Sequence, residues 1–80
     1  MTPEQFTELA AICKVYRDTD LWVQLRKPDL ESRRDRHEIL IIFDGPESEF
    51  PSRVEKRLGE HLKNMKLEGQ VDFDVNYEEG

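Results

Sequence analysis

The sequence predicts an α+β fold, a two-layer sandwich in which two helices cover one face of a three-stranded mixed sheet, in the order α-β-β-α-β. Three patterns support this prediction. Residues 38–44 are apolar on both faces, residues 71–77 alternate apolar and polar side chains, and two longer stretches carry apolar residues at helical spacing. Charged residues make up 38% of the chain, but this periodicity excludes disorder and predicts one small domain, 1–80.

The first helix is predicted from Thr2 to about Tyr16. Thr2 is a favoured capping residue, Pro3 suits the first helical position, and Gln5 completes a capping box. Residues 17–20 then form a turn. The apolar stripe of this helix is Phe6, Leu9, Ala10, Ile12, Cys13 and Tyr16.

Two strands follow, joined by a charged loop. Residues 21–26 alternate apolar and polar side chains, which predicts the first strand. Residues 38–44 are rich in β-branched and aromatic side chains, which predicts the second strand. The loop between them, 27–37, is long enough for an extended hairpin tip.

The second helix is predicted to begin between Ser48 and Ser52, after the strand-breaking Gly45-Pro46. Ser52 and Glu55 have the spacing of a capping box. Gly59 lies in the middle of this helix, where a close approach to the first helix would explain it. The apolar stripe of the second helix is Phe50, Val54, Leu58, Leu62 and Met65.

The third strand is predicted over residues 70–77, and residues 78–80 are expected to fray. A helix of this length permits a right-handed crossover between parallel strands. The strand order stays open, because the third strand fits beside either of the other two. The predicted sheet core is Leu21, Val23, Leu25, Ile39, Ile41, Phe43, Val71, Phe73 and Val75.

The opposite face of the predicted sheet is unusual because it is only partly polar. Trp22, Leu40 and Ile42 would lie there together, and contiguous exposed apolar side chains are typical of protein interfaces. Alternatively, the second strand is simply central and Trp22 lies across it as a lid. The predicted protein-interface residues are Trp22, Gln24, Leu40, Ile42, Asp72 and Asp74.

The charged loop holds the one concentration of basic side chains. Arg33, Arg34, Arg36 and His37 are candidates for contact with a phosphate or an acidic partner, with a solvated loop as the alternative. The element order is similar to type II KH domains, which implies nucleic-acid binding. However, the chain has no Gly-x-x-Gly loop and the basic loop lacks aromatic residues for base stacking.

The acidic half of the chain offers a further partner class. Residues 41–80 carry ten acidic against five basic side chains, and the whole chain has a net charge of −6. Asp72, Asp74, Glu78 and Glu79 would present a negative surface to a basic protein, as an inhibitor or decoy does. A metal or catalytic role for Asp72 and Asp74 would need a third carboxylate or a phosphate loop, and neither is evident.

No catalytic set can be assembled from the sequence. Asp44 follows an apolar strand, but Asp-Gly-Pro is ordinary turn chemistry. Cys13, His37 and His61 share no metal-ligand spacing, and Cys13 lies on an apolar stripe where an inert thiol is expected. We therefore expect no enzyme activity, no cofactor and no resident metal.

The sequence thus favours an acidic, soluble, cytoplasmic interaction module that forms a homodimer or binds a protein partner. One cysteine excludes an internal disulfide, and neither a signal peptide nor a membrane-length apolar run is visible. The element order also resembles the cytosolic dimerisation domain of cation-efflux transporters, which implies dimerisation, although the histidine-rich metal set is missing.

Overall fold

The computed structural model describes residues 1–78 and confirms the predicted two-layer α+β architecture. Both helices pack against the same face of the sheet. A short 3-10 turn over Glu47–Glu49 precedes the second helix. The elements are α1 (Pro3–Val15), β1 (Leu21–Arg26), β2 (His37–Asp44), α2 (Ser52–Asn64) and β3 (Val71–Glu78).

The start of α1 is fixed by the capping box that the sequence predicts. The Gln5 amide donates to Thr2 Oγ1 at 3.1 Å, and the Thr2 amide donates to Gln5 Oε1 at 2.9 Å. These two bonds satisfy amides that no helical carbonyl reaches. One turn and two turns further on, Leu9 and Cys13 are fully buried.

The sheet has the order β1-β2-β3, which places the most apolar strand in the centre. β1 and β2 are antiparallel, whereas β2 and β3 are parallel, as a helical crossover requires. β3 extends to Glu78, which pairs with Asp44. The strand therefore ends one residue later than predicted; the expectation that residues 78–80 fray stays a prediction, and residues 79 and 80 lie outside the described part of the chain.

Two predictions about α2 are wrong. Its N-cap is Pro51, and no side chain caps the helix, so Ser52 and Glu55 do not form a capping box. The 3-10 turn and Pro51 lead directly to the start of the helix, so Ser52 is the first helical residue and not the cap. A Cβ on Gly59 would meet no atom within 4 Å, so no close helix contact explains this glycine.

The core lies between the helices and one sheet face, and most of its predicted residues are buried. Six residues of the two predicted helix stripes are only half-buried, and so are two residues of the predicted sheet core, Phe73 and Val75. Phe73 and Val75 belong to the edge strand β3, whereas α1 packs mainly over β1. Leu67, between α2 and β3, is buried although the sequence analysis did not select it.

The tip of the 27–37 loop is a hydrogen-bonded turn. Asp29 and Arg34 exchange two backbone hydrogen bonds of 2.8 and 2.9 Å. The Asp29 carboxylate accepts from the Glu31 amide and the Ser32 hydroxyl, both at 3.0 Å, and the Ser32 bond leads the effects that lower the Asp29 pKa. Arg33 sits at the turn with a positive φ of 58°.

Candidate functional site

The face of the sheet turned away from both helices is the candidate site, and we name it the uncovered face. Pairing across the strands arranges its side chains in three rows. The rows are Trp22–Ile42–Asn76, Gln24–Leu40–Asp74 and Arg26–Glu38–Asp72.

The centre of the uncovered face is a small apolar patch. Trp22 pairs with Ile42 across the strands, and Leu40 lies two residues from Ile42 on the same face of β2. Side chains directly opposite one another in a sheet are in contact range. Trp22 is 45% exposed, while Leu40 and Ile42 are half-buried. The structure therefore brings the three predicted apolar residues together.

Trp22 is held in place by polar contacts along β1. The Arg17 guanidinium carbon lies 3.7 Å from the centroid of the indole ring, which is cation–π range. The indole N–H donates to Gln24 Oε1 at 3.3 Å. Arg17 is itself anchored, because its Nε donates to the Val23 carbonyl at 2.8 Å. An indole fixed in this way loses little conformational entropy when a partner binds.

One end of the uncovered face is charged and largely paired. Arg26 lies 3.5 Å from Glu38, and Arg36 lies 3.1 Å from Asp72. Arg36 also donates to the Gly69 carbonyl. Arg36 and Asp72 are each about half exposed, so their ion pair contributes at most about 1 kcal/mol to stability, whereas Glu38 Oε1 in the other pair is buried.

The uncovered face is electrically polarised from one edge to the other. Cationic Arg17 and Arg26 lie on the β1 side, whereas Asp72 and Asp74 lie on β3. Among residues 1–78, Asp74 takes part in no ion pair. In the central row Leu40 lies between the two margins, whereas Glu38 lies between Arg26 and Asp72.

The basic residues of the loop are not gathered into one site. Arg34 donates to the Lys27 carbonyl at 3.1 Å, and Arg36 is engaged with Asp72 and Gly69. The His37 ring lies on the helix side of the sheet, with its centroid 5.9 Å from that of Phe6. Arg33 is exposed at the turn and takes part in no side-chain hydrogen bond or ion pair within residues 1–78.

The remaining candidate chemical groups are placed in structural roles. Cys13 is buried as predicted, and burial raises the pKa of its thiol to about 11. His61 shares a 3.2 Å hydrogen bond with the Tyr16 hydroxyl, which joins α2 to the end of α1. Within residues 1–78, no cluster of three or more His, Cys, Asp or Glu side chains has the geometry to hold a metal ion.

The sequence analysis missed one positioning residue, Arg17, and one cleft, and it selected Arg36 for phosphate or acidic-partner contact rather than for support of the uncovered face. Arg17 and Arg36 support the uncovered face, but their partners lie six and 33 residues away along the chain. A cleft of about 580 Å³ also opens between the end of α1 and the start of α2. Its lining alternates in charge, with three arginines and three acidic residues, so it shows no preference for one sign of ligand.

Comparison of the chain with protein-family models, with curated proteins and with solved structures found no match. In the described region, neither helix has the length and apolar composition needed to cross a bilayer. The functional argument therefore depends on the geometry of the chain itself.

Proposed function

We propose that this protein is a small non-enzymatic interaction module that self-associates as a homodimer through the uncovered face. The observation that carries the proposal is the adjacency of Trp22, Leu40 and Ile42 on a face that neither helix covers. Burial of apolar area contributes about 25 cal/mol per Å². Covering this patch with a matching apolar surface therefore gives the largest gain in binding free energy on the face.

The charge distribution of the uncovered face supports pairing with a second copy. A two-fold axis parallel to β2 would lay the β1 side of one protomer over the β3 side of the other. Arg26 would then face Asp72 of the other copy, and Leu40 and Ile42 would each stack on their own counterparts. Opposite charges at both margins and apolar contact in the middle make the face self-complementary.

The same arrangement has one unfavourable element. Glu38 lies on the central strand and would face its own counterpart across the axis. The Arg26 guanidinium lies 3.5 Å from this carboxylate in each protomer, which offsets part of the repulsion.

The size of the uncovered face predicts a weak dimer. Three strands spaced about 4.8 Å apart, each contributing roughly 20 Å of length, give a plane of about 280 Å² per copy. Even when the surface added by side chains is included, the area buried by the two copies together falls below the 1,200–2,000 Å² of standard stable interfaces. We therefore expect a dissociation constant in the micromolar range.

The test removes one apolar side chain from the uncovered face and one from elsewhere. Trp22→Ala should weaken self-association about tenfold or more, because the largest aromatic side chain of the apolar patch is lost. The matched control is Leu30→Ala, since Leu30 is 86% exposed at the loop tip and outside the face. Sedimentation equilibrium measures both. Equal dissociation constants for the two variants would contradict the proposal, provided that circular dichroism shows both folded.

Nucleic-acid binding through the basic loop remains the alternative. The contacts of Arg34 and Arg36 with the chain's own carbonyls and with Asp72 favour it less, as does the net charge of −6. It predicts affinity for RNA or DNA that falls steeply with salt concentration. Absence of binding at low salt would remove this alternative.

A further inference from the structure

The outer edge of β3 is open, whereas that of β1 is partly closed by the chain itself. On β1, Leu21 exchanges backbone hydrogen bonds of 2.9 and 3.3 Å with Asp18, and Arg17 donates to the Val23 carbonyl. β3 pairs only with β2, and within residues 1–78 no backbone hydrogen bond joins its other edge. An eight-residue strand without a bulge or proline is a ready template for another strand.

The two faces of β3 differ sharply in chemistry. Phe73, Val75 and Tyr77 face the helix layer but stay half-buried, although the corresponding residues of β2 are buried. Asp72, Asp74 and Glu78 lie on the other face. A strand added beside β3 would cover the exposed side of the three apolar side chains. Its alternate residues would then lie beside the three acidic side chains on the other face.

The acidic side chains determine which strand fits. If β3 paired with β3 of a second copy, acidic residues of both copies would share one face, and like charges opposite one another are destabilising. A strand with basic residues on that face instead forms favourable cross-strand pairs. Asp74 is the main candidate for such a cross-strand pair, since Asp72 already forms an ion pair with Arg36.

We infer that the β3 edge binds an extended segment of another protein in which basic and apolar residues alternate. Backbone hydrogen bonds to the open edge supply affinity, as in other cases of strand addition. The basic side chains lie beside Asp74 and Glu78, and the apolar ones lie beside Phe73 and Val75. This site shares Asp74 with the uncovered face but does not include the apolar patch, because Trp22 lies on the opposite edge strand.

The inference is tested with a fluorescent peptide of sequence Lys-Val-Lys-Val-Lys-Val, measured by anisotropy against the whole protein. Saturable binding is expected. A peptide of the same composition in block order, Lys-Lys-Lys-Val-Val-Val, and an alternating peptide methylated at every backbone amide should each bind at least about tenfold more weakly. Equal binding of either control peptide would overturn the inference, because neither can form the patterned strand.

Variants locate the site and separate it from simple charge attraction. Asp74→Lys should weaken binding of the alternating peptide about tenfold, since an attractive cross-strand pair becomes repulsive. Glu60→Lys, an equal charge change on the exposed surface of α2, should leave affinity within about twofold. Equal loss in both variants would assign binding to net charge and refute the site.

The dimer proposal and this inference can be tested independently, because either can be contradicted while the other holds. Trp22→Ala should keep its affinity for the alternating peptide even where it loses self-association. Loss of peptide binding in Trp22→Ala would contradict a site on β3. Slower hydrogen exchange of β3 amides with peptide bound is the expected direct signature, and slowing confined to β1 would also contradict it.

Discussion

The His37 side chain shows how packing changes the protonation of a single residue. Burial against Phe6 has the largest effect and lowers the pKa of His37 below 6.5, and the positive charges of the chain N-terminus and Lys27 lower it further. The folded protein therefore binds this proton less readily than the unfolded chain does. The contribution of neutral His37 to stability is complete above pH 6.5 and is lost as the pH falls below it.

This proton linkage predicts a difference between the protein and a His37→Gln variant. Between pH 7.5 and 5.5, the free energy of unfolding should fall more in the parent than in His37→Gln, because only the parent must charge this ring. Urea unfolding at several pH values measures the difference, and an NMR titration of the His37 ring gives its pKa directly. A ring pKa at or above 6.5 would contradict the structural interpretation.

Other side chains show which contacts a sequence can predict. Alternation alone placed Trp22, Leu40 and Ile42 on one face, because strand periodicity fixes which way a side chain points. The support that Arg36 gives through Gly69 could not be predicted, since those residues meet only when the loop and β3 come together. The four basic loop residues are neighbours in sequence, yet three of them contact different partners, which are the Lys27 carbonyl, the Gly69 carbonyl and the Phe6 ring.

At the scale of elements, α2 contains a glycine, Gly59, whose replacement should stabilise the protein. Gly59 has no atom near its Cβ position, so an alanine fits without displacement. Gly59→Ala should raise the free energy of unfolding by about 1 kcal/mol, because alanine favours the helix more than glycine does. Urea denaturation measures the change.

Gly69 supplies the matched control for this substitution. Its φ of +79° lies in the left-handed region, where a side chain is strained even though space is available. Gly69→Ala should therefore lower the free energy of unfolding, by about 1 kcal/mol. Destabilisation by Gly59→Ala would show that α2 packs more tightly than the structure describes.

The elements themselves were predictable to within a few residues, and their errors have physical causes. The capping box of α1 is a local pattern and forms as expected, whereas Pro51 replaces the predicted cap of α2. Phe73 and Val75 alternate like core residues, but periodicity does not reveal how far a helix layer reaches. Their partial exposure follows from the edge position of β3, which the sequence left undecided.

At the scale of the whole molecule, the central strand β2 links the fold to the proposed function. One face of β2 forms the core through Ile39, Ile41 and Phe43, and the other presents Leu40 and Ile42. On the helix side, the apolar neighbours of β2 belong to the same chain. On the uncovered face, we propose that a second copy supplies them.

Solution mass measured by light scattering across a concentration series from about 1 to 500 µM tests this proposal most directly. We predict a rise from the monomer mass of 9.5 kDa toward twice that value, with a midpoint in the micromolar range. The midpoint should move to higher concentration in Trp22→Ala and stay in place in Leu30→Ala. A mass that remains at the monomer value over the whole series would contradict self-association through the uncovered face.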